Sequence, residues 1–204
     1  MNGWRLVGTL SLLLGAMTLA LAASHGWDVE GVRLAIRATA RTSLALFALA
    51  FTASALAELV PSKATRWLRR NRRYLGVSFA ISHFIHLGAI VTLATLDRDL
   101  FWKLTNVGTI VLAGAAYLFI AAMTATSFDR TAAWLGPRKW RVLHLIGGWY
   151  IWISFAVAVG KRMPLNSFYW PMALLVLAVA AVRLIAMSRR GRRRLTLRAP
   201  KVEA

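Results

Sequence analysis

The sequence predicts an all-α protein, a bundle of six transmembrane helices. Of its 204 residues, 58% are hydrophobic, and the mean hydropathy of +0.57 lies far above that of an ordinary soluble domain. A helix rises about 1.5 Å per residue, and the hydrocarbon core of a bilayer is about 30 Å thick. Six apolar stretches are long enough to cross it, namely residues 4–23, 43–60, 74–97, 104–125, 139–160 and 167–187.

The six stretches divide the chain into a membrane domain, residues 1–187, and a basic tail, residues 188–204, with no separate soluble domain. The first stretch follows Met1 and Arg5 and ends in small residues, as a cleaved signal peptide does. Its apolar part is about 18 residues long, beyond the roughly 7–15 residues of a cleaved segment. Five further spans follow it. We therefore interpret the first stretch as a membrane helix.

The charge is strongly positive and unevenly distributed. Twenty-six lysines and arginines outnumber seven acidic residues, which gives a net charge of +19. Of these basic residues, 19 fall on the side that carries both termini and the loops after spans 2 and 4, and seven fall on the other side. Basic residues collect on the cytoplasmic side of a membrane. We therefore expect a multi-pass protein of a bacterial inner membrane, with both termini in the cytoplasm.

A charge of this size on a soluble protein would indicate nucleic acid binding. Here the basic residues border membrane spans, so we expect membrane lipid rather than nucleic acid as the partner. The tail from Arg189 to Lys201 is expected to bind anionic lipid, at about 1 kcal/mol per charge near the surface. Docking of an acidic protein is the alternative for the tail. Lipid binding alone would explain the basic loop of residues 61–73. Haem propionates or a reductase are the alternative partners of this loop.

Span 2 is rich in alanine, which allows helices to approach closely, and Pro61 ends it. The loop before it, residues 27–42, carries Arg33, Arg37 and Arg41 at intervals of four. A short helix in this loop would place all three arginines on one face. We expect that face to be solvated or to contact lipid headgroups, with docking of an external partner as the alternative.

Span 4 has no charged residue and is interpreted as a packing helix. Gly136 and Pro137 form a helix-stop signal before span 5. Gly147 and Gly148 follow His144 by about one turn and leave room for the close approach of a backbone or a flat ligand. Span 6 is a continuous apolar helix.

Three histidines lie within the predicted spans, His83 and His86 in span 3 and His144 in span 5. An ionisable side chain at membrane depth is costly and by default indicates a functional site. The chain has no cysteine, which excludes iron–sulfur ligation and covalent haem attachment, so any haem must be held by histidine or methionine. Two imidazoles from facing helices would close both axial positions of one haem, which favours electron transfer over oxygen activation.

The spacing leaves the partner of His144 open. His83 and His86 share one face of span 3, about 4.5 Å apart along the helix, so one haem is the expected number. Counted from Tyr74, they lie about 13 Å and 18 Å along span 3, whereas His144 lies about 8 Å from Lys139 along span 5. Depth therefore favours His83 as the ligand. The alternative to haem ligation is a haem-free scaffold in which the histidines form hydrogen bonds between helices.

Several short motifs occur in a defined order along the chain. They are Ser24-His25-Gly26, Arg41-Thr42 at the start of span 2, Arg72-Arg73-Tyr74-Leu75-Gly76 with His86 ten residues later, Leu135-Gly136, and Trp140 followed by Leu143-His144. Over about residues 23–187 the chain resembles the ferric reductase-like transmembrane domain family. Within that family it is most similar to the haem-binding subunit of bacterial methionine-sulfoxide reductase systems.

This resemblance implies a six-helix membrane cytochrome with one haem b. By their positions in the motifs, His86 and His144 would be its axial ligands. Such a protein relays electrons from a cytoplasmic flavin reductase or quinol to a periplasmic acceptor such as a molybdenum oxidoreductase, and a flavin or quinone would be the further cofactor of the path. The main alternative within the same resemblance is a stand-alone transmembrane ferric reductase.

The chain departs from the family at the positions that would hold a second haem. These positions carry Val157, Asp99 and Leu100 instead of histidine. No outer haem is therefore expected. The last electron step would use a protein partner, a quinone or His25 near the outer face.

Overall fold

The computed structural model describes residues 2–198, with side chains described as far as residue 192, and this part of the chain contains helices and no strands. The helices are α1 (Trp4–Ala23), α2 (Val29–Leu59), α3 (Lys63–Leu96), α4 (Arg98–Leu104), α5 (Val107–Ala125), α6 (Asp129–Leu135), α7 (Pro137–Gly160) and α8 (Trp170–Arg198). A 3-10 turn, Ser167–Tyr169, leads into α8. Six of them, α1, α2, α3, α5, α7 and α8, are long and apolar enough to cross a membrane. The predicted all-α architecture with six spans is confirmed.

Helix α2 begins 14 residues before the apolar stretch that predicted it. The Asp28 side chain caps it by accepting a hydrogen bond from the Gly31 N–H at 2.9 Å. The expected loop 27–42 is therefore largely helical and continuous with the span. Arg33 and Arg37 both bind Glu30, at 3.0 Å and 3.1 Å, which places them on one side of this extension.

Helix α3 also begins early, directly after Ser62. The Ser62 side chain and the Thr65 side chain form a reciprocal capping box. The expected basic loop 61–73 thus forms the first turns of a 34-residue helix. Hydropathy indicates only the part of a helix that lipid covers, whereas capping residues decide where the helix starts.

Helix α8 continues past residue 187, where the membrane domain was predicted to end. The first part of the predicted basic tail is therefore an extension of the last span. Residues 199–204 of that tail lie outside the described residues.

The core is formed mainly by α2 and α3, which pack against each other along their length. Small hydroxyl residues lie in this contact, where the Ser43 and Ser82 side chains form a hydrogen bond of 2.9 Å. Both residues are fully buried. Between α2, α3 and α7, the rings of Phe47, Phe79 and Phe155 pack within about 6 Å of one another. Close packing of small residues and internal hydrogen bonds are the usual means of helix association in a membrane.

The start of α3, residues 63–73, lies at the end of the bundle that we call the basic end. The buried Asn71 side chain accepts a hydrogen bond from the Gly3 N–H at 3.1 Å and donates one to Asn2 at 2.9 Å, which ties α1 to α3. Arg73 forms an ion pair with Asp129 of α6. The hydrogen bond from Arg73 lowers the pKa of the Asp129 carboxyl from its ordinary value.

Candidate functional site

A cavity of about 260 Å³ lies between α2, α3, α5 and α7, near the basic end. Most of its wall is apolar and aromatic, and its polar or ligand-type groups include an imidazole, two guanidiniums, a thioether and the hydroxyls of Thr124 and Ser127. The lining residues used below are Phe47, Phe51, Arg72, Arg73, Phe79, Met123, Trp140, His144 and Gly148.

The imidazole belongs to His144, two turns after the start of α7. Gly136, with a positive φ of 78°, ends the preceding segment, and Pro137 occupies the first turn of α7, so the helix start is well defined. The His144 ring stacks on the Trp140 ring, with 4.1 Å between centroids. Its Nε2 lies 3.4 Å from the Thr126 hydroxyl of α5. Because Trp140 Nε1 donates a hydrogen bond of 2.9 Å to the Thr126 carbonyl, the ring is held in a fixed place between α5 and α7.

The guanidiniums belong to Arg72 and Arg73 of α3. Arg72 Nη1 donates a hydrogen bond of 3.3 Å to the Ser54 hydroxyl of α2. Arg73 is turned toward Asp129, its ion-pair partner. The cavity thus combines aromatic walls with positive charge at the basic end.

His83 and His86 lie together and do not line this cavity, although the His83 ring packs against Phe79 of its wall at a centroid distance of 5.4 Å. Their rings are 5.4 Å apart. His86 Nδ1 lies 3.0 Å from the Thr39 hydroxyl of α2. His83 packs between Tyr117 and Phe155, at centroid distances of 4.9 Å and 5.7 Å, and its buried Nδ1 has no hydrogen-bond partner among the described residues.

The structure places His144 and the histidine pair at different levels of the bundle. Phe155 of α7 contacts His83 of α3, and it follows His144 by 11 residues, about 16 Å along the helix. His86 lies nearly one turn further from the basic end. Two imidazoles on one iron are about 4 Å apart, since each metal–nitrogen bond is about 2 Å. The structure therefore does not bring His86 and His144 together, and a clamp between them would require α3 and α7 to slide by about three turns or more.

The residues around His144 fit a haem better than the predicted pair does. They provide an axial imidazole, aromatic walls for a flat ring and arginines for its carboxylates. The volume is slightly below the roughly 300–1,000 Å³ of ligand pockets, so a haem would require side chains of the cavity wall to rearrange. Within the described part of the chain, no group of three or more His, Cys, Asp or Glu side chains could hold a metal ion. A haem iron takes at most two axial ligands from the protein and does not need such a group.

Thr39 is a partner of His86 that the sequence analysis does not identify. Residues 27–42 were expected to form a loop, so Thr39 was not considered as a partner for a histidine in span 3. It is fully buried and follows the buried Val32 and Ala35 at helical spacing. That periodicity within the expected loop was the signal that α2 begins earlier.

Replacing Thr39 with valine should destabilise the contact between α2 and α3. Valine has nearly the same shape, so the change removes the hydroxyl next to His86 together with its hydrogen bonding to the Ala35 and Ile36 carbonyls of its own helix. We expect a loss of about 0.6–1.7 kcal/mol, the range for side-chain hydrogen bonds between membrane helices. Reversible unfolding in mixed micelles measures it. The matched control is Thr92→Val, because the exposed Thr92 hydroxyl bonds only to a carbonyl of its own helix. Equal losses for both variants would contradict a bridging role for Thr39.

Comparison of the chain with models of protein families, with curated proteins and with solved structures finds no match in any of the three. The resemblance to the ferric reductase-like family therefore depends on the short motifs alone.

Proposed function

We propose that this protein is a membrane b-type cytochrome that relays electrons across the bilayer, with one haem held in the cavity near the basic end. One observation carries the proposal: an imidazole and two arginines line the same aromatic-walled cavity within a six-span bundle. Haem supplies reversible one-electron chemistry at its iron.

Each lining residue has a distinct part in this proposal. His144 would bind the iron, and its stacking on Trp140 holds the ring in one orientation. Arg73, which lines the same cavity, would pair with the propionates, because a guanidinium matches the geometry of a carboxylate. The phenyl rings of Phe47, Phe51 and Phe79 would exclude water. Met123 is the thioether in the wall and a second residue that would hold the iron.

The direction of transfer follows from the charge distribution. The positive-inside rule places the basic end in the cytoplasm of a bacterial cell, so the haem lies near the cytoplasmic face. A cytoplasmic flavin reductase or a membrane quinol would donate the electron. The acceptor would be a periplasmic redox protein such as a molybdenum oxidoreductase, which the resemblance implies. The described helices leave no soluble flavin- or nicotinamide-binding domain in the region between residues 2 and 198.

A haem-free scaffold is the second candidate, and one observation favours it. His86 lies within hydrogen-bond distance of Thr39 on a neighbouring helix, which is what a structural histidine in a membrane bundle would do. In this version the histidines join helices and carry no electron.

The visible spectrum of the purified wild-type protein distinguishes the two. It should be recorded oxidised and after reduction with dithionite, with haem quantified against protein. The cytochrome proposal expects about one haem b per chain and a reduced spectrum with a sharp b-type band. Colourless protein purified from cells with ample haem would exclude the cytochrome and leave the scaffold.

A further inference from the structure

Three arginines from α3 and α8 converge on α2 at the basic end. Arg72 of α3 reaches the Ser54 hydroxyl, as described above. The guanidinium of Arg183, in α8, lies 4.4 Å from the centroid of the Phe51 ring. Arg190, two turns further along α8, forms an ion pair of 2.6 Å with Glu58.

The positive charge of this cluster is not balanced within the described chain. Glu58 is engaged by Arg190, and among the described residues no carboxylate lies within ion-pair distance of Arg72 or Arg183. The Arg183 Nε atom is buried and has no hydrogen-bond partner in this part of the molecule. The three guanidiniums are also close enough to repel one another.

A partly buried cation without an anion is unfavourable, since its lost hydration is not replaced. An anion supplied from outside the polypeptide would restore the balance. It would also provide an acceptor for the unpaired Nε of Arg183. Phosphate suits this place, because a guanidinium binds it through two parallel hydrogen bonds.

We propose that Arg72 and Arg183 form a specific binding site for the phosphate of an anionic phospholipid. Arg183 follows Trp170 by 13 residues, about 20 Å along α8, which is about two thirds of the way across a hydrocarbon core of about 30 Å. Leu184 and Met187 beside it are exposed, which leaves an apolar surface for an acyl chain. The site does not include the iron ligand His144, and it shares only Arg72 with the wall of the haem cavity.

The test measures phosphatidylglycerol that stays bound. Wild type and variants are reconstituted in equal mixtures of phosphatidylglycerol and phosphatidylcholine, extracted with mild detergent, and analysed by native mass spectrometry. Arg72→Gln and Arg183→Gln should each lower retained phosphatidylglycerol about fivefold or more, the effect of about one removed charge. Arg183→Lys should restore part of the phosphatidylglycerol that is lost in Arg183→Gln. The matched control is Arg189→Gln, because Arg189 is exposed on the same helix and the change removes the same charge.

The lipid and a haem propionate are the two sources of an anion that the experiment must separate. His144→Ala should bind phosphatidylglycerol as wild type does. Binding that appears only when haem is absent would show that propionates occupy the arginines, and it would overturn the proposal. Equal losses in Arg183→Gln and Arg189→Gln, or no loss in Arg72→Gln and Arg183→Gln, would overturn it as well.

Discussion

His144→Ala should abolish haem binding, whereas His86→Ala and His83→Ala should leave the haem content nearly unchanged. His144 is the histidine that lines the cavity, while the other two lie about 16 Å or more away along the bundle. Removing the imidazole leaves no strong iron ligand on α7. Haem absorbance per mole of protein, measured after identical purification, gives the result directly.

The three variants control for one another. Each removes one imidazole from a helix, so a general loss of folding would lower haem in all of them. Helicity by circular dichroism and a monodisperse elution profile are checked first. A folded His86→Ala protein without haem would contradict the placement of His86 and His144 at different levels of the bundle. It would support His86 and His144 as the ligand pair that the family motifs imply.

The sequence predicted the six spans because hydropathy over about 20 residues is a strong signal. It placed the start of α3 wrongly, since the 11 residues 63–73 carry six positive charges and were interpreted as a loop. The arginines and lysines there extend from a helix that leaves the apolar region. Charge excludes a segment from the hydrocarbon core, but it does not exclude a helix.

The same boundary affects the depth predicted for His83 in span 3. Counting from Tyr74 placed His83 about 13 Å along span 3, close to the depth of His144 in span 5. Counted from Lys63, where α3 begins, His83 lies about 30 Å along its helix, whereas His144 lies about 10 Å from Pro137. Hydropathy identifies which residues are in the membrane, but relative sliding of two helices depends on their side-chain contacts. The contact between Phe155 and His83 reveals that register.

Arg183 illustrates the opposite case, in which the signal was present. A single arginine within the apolar stretch 167–187 is by itself a functional hypothesis. The 19 basic residues assigned to the side of the termini include it. The structure shows its ring contact with Phe51 and its unpartnered Nε, which a count of charges cannot reveal.

Replacing Gly148 with alanine should both destabilise the bundle and lower its haem content. A Cβ at Gly148 would lie 2.7 Å from Cε2 of Phe51, far inside van der Waals contact. The Phe51 ring is held on three sides, because it stacks on Phe47 at 5.0 Å, meets Trp149 edge-on at 5.4 Å and lies against Arg183. It also borders the cavity, so a ring that moved aside would narrow the space for the haem. Overpacking of this kind costs about 1–3 kcal/mol. The methyl group would also be added to the wall of the cavity, which Gly148 lines, so haem should be retained less well.

Gly147→Ala is the matched control for this change. Its Cβ would also meet an atom at 2.6 Å, but that atom is the sulfur of the flexible Met123 side chain, and the nearest ring atom, Cδ1 of Phe119, lies at 3.1 Å. We expect a cost of about 1 kcal/mol or less. Unfolding in mixed micelles and haem content are compared for both variants. Equal destabilisation would show that the rigidity of the Phe51 ring is not what limits position 148.

The double variant Gly148→Ala, Phe51→Leu identifies the contact responsible. Leucine removes the ring atoms that the new methyl group would strike, so the two changes should be less destabilising together than the sum of their separate effects. Residues in direct contact commonly show such coupling, at about 0.5–3 kcal/mol. Strict additivity would place the cost of Gly148→Ala elsewhere in α7. Coupling with recovered haem binding would show that the contact between Gly148 and Phe51 determines both the fit of α2 against α7 and the width of the cavity.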